Sequence, residues 1–215
     1  MTTSTPAPNH PTPSLTLHGF PLSGHAHRVE LFLSLLGLPF DRVDVDLAGG
    51  AHKRPEFLAM NAFAQVPVLQ DGPLTIADSN AILVYLARKY GAGHATDWLP
   101  EAPHAMAQVQ RWLSIAAGLL AFGPARARLK VVFNADVDAN DARHRAAQLL
   151  ATMDGELARQ PWLAGDAPTL ADVANYSYVA HAPDGHVSLA PYPNVRAWLA
   201  RVEALPGFVP MRSVA

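Results

Sequence analysis

Ser23 stands just before a stretch in which Val29, Phe32, Leu33 and Leu36 fall at i, i+3, i+4 and i+7, so its hydroxyl belongs to the start of a helix. A hydroxyl there can cap the first turn, or donate to an anion that the free N–H groups and the helix dipole also favour. Taken alone, a serine in this place is a cap. Asp78-Ser79 repeat the arrangement ahead of a helix whose apolar face carries Ile82, Tyr85 and Leu86. His52-Lys53 is a pair of cations or donors that, in isolation, reads as two solvated loop residues. Thr169 and Asp172 have capping-box spacing, which commits both side chains to backbone N–H groups and makes them structural.

Other chemistries are excluded by residue type. The 215 residues include no cysteine, so disulfides, thiolate-ligated zinc and a protein-borne cysteine nucleophile are impossible. Ser23 lacks the G-x-S-x-G flanks of a hydrolase elbow. His25 and His27 at i, i+2 do not share a helix face, and with no carboxylate or thiol at ligand spacing no metal site is expected. A net charge of −2 argues against a nucleic-acid surface. No apolar run approaches the ~20 residues of a membrane span. The N-terminus has no apolar signal region either, so a cytoplasmic globular protein is expected.

The elements that must position these residues follow from the patterns along the chain. Residues 1–14 are Pro/Thr-rich without apolar repeat and read as a disordered tail. Leu15 and Leu17 alternate with polar residues as a strand; the helix after Ser23 stops at Gly37 and Pro39; Val43, Val45 and Leu47 alternate as a second strand with a wet face. A short helix over 55–60 precedes two strand-like runs, Val66–Leu69 and Leu74–Ile76, joined at Asp71-Gly72. The order is βαβ, a short α, then ββα. Pro67 removes a ladder donor and so belongs at an edge or a strand's first residue; pattern alone favours a trans bond. Of 38 alanines, 26 follow Pro100, which makes the second half helical. The domains are thus 15–91, a linker over 92–102, and an all-helical 103–215. Ile115, Leu119 and Phe122, at i, i+4, i+7, read as core, and Arg126, Arg128 and Lys130 with Asp136, Asp138 and Asp141 as a polar turn with solvated charges.

The run Gly19-Phe20-Pro21-Leu22-Ser23, with Arg28-Val29 following, resembles the active-site segment of serine-type, phi-like glutathione transferases. His52-Lys53-Arg54-Pro55-Glu56-Phe57-Leu58 through Asn61, Gln65-Val66-Pro67-Val68, and Ile76-Ala77-Asp78-Ser79 resemble that family's glutathione-binding segments in order and spacing. Leu163 to Asp172, and Tyr192-Pro193-Asn194-Val195 with Trp198, resemble its helical half. The resemblance covers nearly everything from Leu15 onward. Ala64 departs from it where many relatives carry glycine, and Ala62 where proline is common.

The resemblance implies an α/β thioredoxin-like half (βαβαββα) followed by an all-α bundle, with Pro67 cis. It implies that the nucleophile is borrowed: the thiol of glutathione as co-substrate, stabilised as thiolate by the Ser23 hydroxyl, with no metal. His52, Lys53 and Gln65 would hold the glycyl end, Val66 the central backbone, and Asp78 and Ser79 the γ-glutamyl group. One side of the helix carrying Ile115, Leu119 and Phe122 would face the acceptor, a small hydrophobic electrophile. A homodimer is implied too. Peroxide reduction, dehalogenation or isomerisation on the same site, or a non-catalytic binding module on this fold, are the alternatives.

Overall fold

The computed structural model describes residues 14–212, so the tail expected over 1–14 lies, apart from Ser14, outside the described residues. The chain begins β1 (Leu15–Gly19), α1 (Gly24–Leu35), β2 (Asp41–Asp44), a 3-10 turn over Ala51–Lys53 and α2 (Pro55–Met60). It continues β3 (Val68–Asp71), β4 (Leu74–Ala77) and α3 (Ser79–Tyr90), the element order read from the sequence. The four strands form one sheet in the order β2-β1-β3-β4, with β1 parallel to β2 and antiparallel to β3. Strand β2 is shorter than its alternation suggests. It ends at Asp44, leaving edge residue Val43 41% exposed while Val45 turns into a small core with Phe57 and Val68.

Helices α4 (Pro103–Ile115), α5 (Arg126–Phe133), α6 (Ala139–Leu157), α7 (Leu170–Ala180) and α8 (Pro193–Glu203) make up the rest. The segment before α4 is no loose linker: Trp98 is buried, its ring edge-on to Phe32 of α1 at 5.5 Å, inside a core continuous through both halves. Asp172 forms the capping box with Thr169 and does more than cap. Its buried carboxylate also accepts from Leu163 N at 3.0 Å and from Trp198 Nε1 at 2.8 Å, tying the preceding turn and α8 to the start of α7.

Residues 116–125 between α4 and α5 are a π-helical stretch, which overturns the core assignment of Leu119 and Phe122. Wider turns break the i, i+4, i+7 register, so these two side chains swing out, 51% and 54% exposed. Gly123 sits where a Cβ would meet Ala146 N of α6 at 2.9 Å, and Pro124 supplies no N–H to an α-helical ladder. The polar-turn reading holds for Asp136 and Asp138, exposed between α5 and α6, and fails for Arg126, Arg128 and Lys130, which lie in α5 with Arg128 buried.

Helix α1 is fastened to the end of the described chain by His27. Its Nε2 donates to Val209 O at 3.0 Å and its Nδ1 takes the Ser177 hydroxyl at 2.8 Å, a pattern that fits neutral imidazole. Burial, aided by the charges of His181, Arg42 and Arg28, pushes its pKa down to about 4. The unfolded chain, with a histidine near 6.5, then binds the extra proton first, so stability is full above pH 6.5 and falls as pH drops toward 4. Urea unfolding at pH 7 and 4.5 should show the native chain losing ~2–3 kcal/mol more than a His27→Gln variant over that interval. Equal losses would remove His27 as the cause.

Candidate functional site

One end of the sheet gathers the residues singled out in the sequence. Strand β1 runs out at Gly19, where β3 begins opposite it (His18 pairs with Val68), and β4 runs out at Ala77, also opposite Val68. The parallel β2 leaves at the same end, Val45 N donating to Gly19 O at 2.7 Å. Four connections therefore meet there: the turn into Ser23, the loop with His52 and Lys53, the segment Gln65–Pro67, and the entry to α3 at Asp78-Ser79.

Ser23 is the N-cap of α1. A tight turn, Ser23 N to Phe20 O at 2.9 Å, sets it in extended backbone, and its Oγ accepts from Ala26 N at 3.3 Å. Both readings of the serine survive, because a hydroxyl that accepts from the backbone still has its proton to give. Asp78 caps α3, accepting from Ala81 N at 2.9 Å, and does so at φ 74°, a left-handed backbone that L residues rarely adopt. Ser79 is buried behind it.

A fully buried arginine, named in the sequence only as part of a matching run and given no role there, joins these two helix starts. Arg28 Nη1 donates to Ser79 Oγ at 3.2 Å and to Asn80 Oδ1 at 2.9 Å. Burial lowers its pKa to about 10, so the guanidinium remains charged at neutral pH. The same burial, reinforced by Arg28, pushes the neighbouring His25 down to about 3 and keeps it neutral.

The bond before Pro67 is cis. Asn61 orders the approach, its Nδ2 donating to Gln65 O at 2.8 Å and its Oδ1 accepting from Phe63 N at 3.0 Å. Among the described residues no backbone group pairs with Val66 N–H, which leaves it available to an added strand. Gln65 and Lys53 are exposed, while His52 is half-buried with its Nδ1 enclosed and without a protein partner. His52 and Lys53 share the turn Ala51–Lys53 and Gln65 lies in the segment before Pro67, with no hydrogen bond joining their side chains among the described residues.

The second half reaches this place through Arg128, Phe133 and Tyr178, none of which the sequence reading assigned to the site. Arg128 Nη1 donates to Leu22 O, the carbonyl before Ser23, at 2.7 Å, and its Nε pairs with Asp184 at 2.9 Å. Phe133 of α5 faces Phe20 with ring centroids 6.0 Å apart, an apolar wall beside the serine turn. The one signal of Arg128 was its position between apolar neighbours of a helix, which the flanking charges obscured.

Family models for the glutathione S-transferase N-terminal and C-terminal domains match residues 13–88 and 111–206. Glutathione S-transferase 3 of Zea mays is 38% identical over 208 residues, covering 90% of this chain and 91% of its own. A glutathione S-transferase from Pseudomonas fluorescens superposes with a TM-score of 0.85 at 31% identity, over 93% of this chain and 99% of its own. A theta-class glutathione S-transferase from Xanthomonas axonopodis pv. citri, solved with glutathione bound, does so with a TM-score of 0.81 at 28% identity, over 91% and 95%.

Ala64, in the turn that feeds Val66, has φ 54°. Alanine is strained in that left-handed region by about 1–2 kcal/mol and glycine is not, although glycine gives back part of the gain as chain entropy. Ala64→Gly should therefore raise the unfolding free energy by a net ~0.5–1 kcal/mol, read as a higher urea midpoint at unchanged slope. A destabilised variant would mean that the alanine methyl makes a contact worth more than the strain.

Proposed function

The chain belongs to the glutathione S-transferase family, and we propose that it joins the thiolate of glutathione to small hydrophobic electrophiles, with Ser23 as the donor that holds the sulfur. The observation that carries this reading is the convergence at one sheet end of the Ser23 cap, the unpaired Val66 N–H and the Asp78–Ser79 helix start. Glutathione has two carboxylates, one ammonium and an extended backbone, so its site needs both signs of charge and a strand edge. Asp78 would take the ammonium and the first amides of α3 the γ-glutamyl carboxylate. Val66 would pair with the cysteinyl unit, and Gln65, Lys53 and His52 would hold the glycyl carboxylate.

The chemistry is then a matter of acidity. A free thiol with a pKa near 8.5 is only ~3% thiolate at pH 7, whereas ~6.5 would make it mostly thiolate. The thiolate attacks the electrophile's carbon and the leaving group departs with its electron pair; Ser23 keeps its proton throughout. Phe20 and the exposed Phe133 offer an apolar surface for the acceptor near the serine turn. No helix among the described residues is long and apolar enough to cross a membrane; a cytoplasmic setting is part of the proposal.

The pairing of two copies belongs to this reading. Phe63 is 82% exposed at the tip of the Asn61–Gln65 turn, and a groove of about 470 Å³ lies between α3 and α4, lined by Val84, Tyr85 and Leu113 among others. An aromatic ring so exposed gains by burial in an apolar groove of a partner. In light scattering the native chain should weigh as a dimer and Phe63→Ser should shift toward monomer. A native monomer would rule out the pairing.

Ser23→Ala tests the central assignment. With a chloronitrobenzene acceptor at pH 6.5, kcat/KM should fall roughly 10- to 100-fold, recovering at high pH where the thiol ionises unaided. Activity that survives unchanged would remove Ser23 from the mechanism, and failure to bind glutathione at millimolar concentration would favour a non-catalytic module.

A further inference from the structure

The turn that presents Ser23 is held from the opposite half of the molecule. Ser23 N–H donates to Phe20 O at 2.9 Å, Ser23 O accepts from His27 N at 2.9 Å, and Oγ accepts from Ala26 N at 3.3 Å. All three contacts are local to the turn and the start of α1. The remaining polar group beside the serine is the Leu22 carbonyl, which shares one rigid peptide plane with Ser23 N–H. No backbone donor among the described residues reaches it. Its partner is Arg128 of α5, whose Nη1 donates to Leu22 O at 2.7 Å.

Arg128 is 2% exposed and is anchored in turn. Its Nε pairs with Asp184 at 2.9 Å, and Asp184 sits in a 3-10 turn over Ala182–Gly185 that lies directly on α5. A Cβ at Gly185 would come to 2.7 Å from Arg128 N, so only glycine lets that turn approach so closely. Arg143 of α6 also holds the turn, its Nε donating to Gly185 O at 3.0 Å. The guanidinium is planar, so its two donors set the distance and direction between the Asp184 carboxylate and the Leu22 carbonyl. A buried ion pair is a poor source of stability; what this one supplies is place. With its C=O tied to Arg128 and its N–H to Phe20 O, the Leu22–Ser23 peptide plane is fixed at both polar ends, and the Cα that carries Oγ is fixed with it. A hydrogen bond weakens steeply as its angle opens, so a donor must be placed as well as present.

We propose that Arg128 is a positioning residue for the sulfur's donor: by tying the Leu22 carbonyl to the helical half, it sets where the Ser23 hydroxyl stands when glutathione is bound. The inference rests on the assignment of Ser23 as that donor. Arg128 makes and breaks no bond. Three titratable groups surround it besides the serine turn. Burial would raise the Asp184 carboxyl, yet hydrogen bonds from Arg128 and from His181, 3.1 Å away, hold it below the usual carboxylate range. Burial keeps the Tyr178 phenol protonated, despite the charges of Arg28 and Arg128. His25, on the far side of the serine, stays neutral above pH 5.

Arg128→Met together with Asp184→Asn removes the pair and leaves the net charge unchanged, so the test does not read a lost charge. The readouts are the ionisation of the enzyme-bound glutathione thiol, followed by thiolate absorbance between pH 5 and 9, and the acid limb of kcat/KM. Both should move up by about half to one pH unit, or about three- to tenfold less thiolate on the acid side, with KM for glutathione within about twofold. On a Ser23→Ala background the same two changes should move neither. Where the paired variant does not fold, Arg128→Lys takes its place: it keeps the charge, has one point where two are needed, and should move the thiol in the same direction. An unmoved thiol in the folded variant, with only the urea midpoint lowered, overturns the inference, since Arg128 would then be a structural tie alone. An equal shift on the Ser23→Ala background overturns it too, because the arginine would act without the serine. If Ser23→Ala itself leaves the thiol unmoved, the underlying reading of Ser23 falls, a result distinct from the other two.

Discussion

The buried charge of Arg28 is the constraint around which the site is arranged. A guanidinium enclosed in protein is costly, and this one leaves Nε and Nη2 without protein partners. Its Nη1 holds Ser79 and Asn80 at the start of α3, while Asn80 Nδ2 donates onward to Leu113 O of α4 at 2.9 Å. A group of this kind is a poor source of stability, because an apolar side chain of like volume often does as well. It does fix the rotation of α1 against α3, so that two helix starts and a permanent positive charge share one end of the sheet. Anions are what such a place suits, and on the proposed reading glutathione would bring a carboxylate to one helix and a thiolate to the other.

What the sequence made legible is what local pattern determines. The stripe Val29, Phe32, Leu33 marks α1 because a helix buries a face with period 3.6, and all three are fully buried. Thr169 and Asp172 announce their capping box because the partners are three residues apart. Ser23 and Asp78 are visible as caps for the same reason. Ala64 stands out as a departure from the family's pattern, and its φ of 54° gives the physical sense of a glycine at that place.

What stayed hidden depends on partners far along the chain. Arg128 sits among charges at alternate positions, and nothing local distinguishes a solvated arginine from one whose partners are Leu22 and Asp184, 106 and 56 residues away. Leu119 and Phe122 match an α-helical stripe, but packing of Gly123 on α6 and the missing N–H of Pro124 widen the turn and cancel the period. Tyr178 lies in a run buried on every side from Leu170 to Val179, where pattern cannot say which ring meets which element. Only Gly24, the smallest residue directly after the cap, hinted that something approaches there.

These hidden contacts matter to the acidity the function requires. Bringing a thiol from about 8.5 to about 6.5 takes ~2.7 kcal/mol of preference for the thiolate. One hydroxyl donating to a charged acceptor gives ~1.5–3 kcal/mol when its proton is free and aligned, and a helix N-terminus typically ~0.3–1. A serine with a wandering proton would fall at the lower end and miss the target even with the dipole added. A serine held in place by Ala26 N–H, with its own proton aimed at the sulfur, would sit at the upper end. On the proposed reading the N-terminal half would supply the grip on glutathione, while the C-terminal half, through the Arg128 clamp on Leu22 O, holds the turn that carries the one hydroxyl.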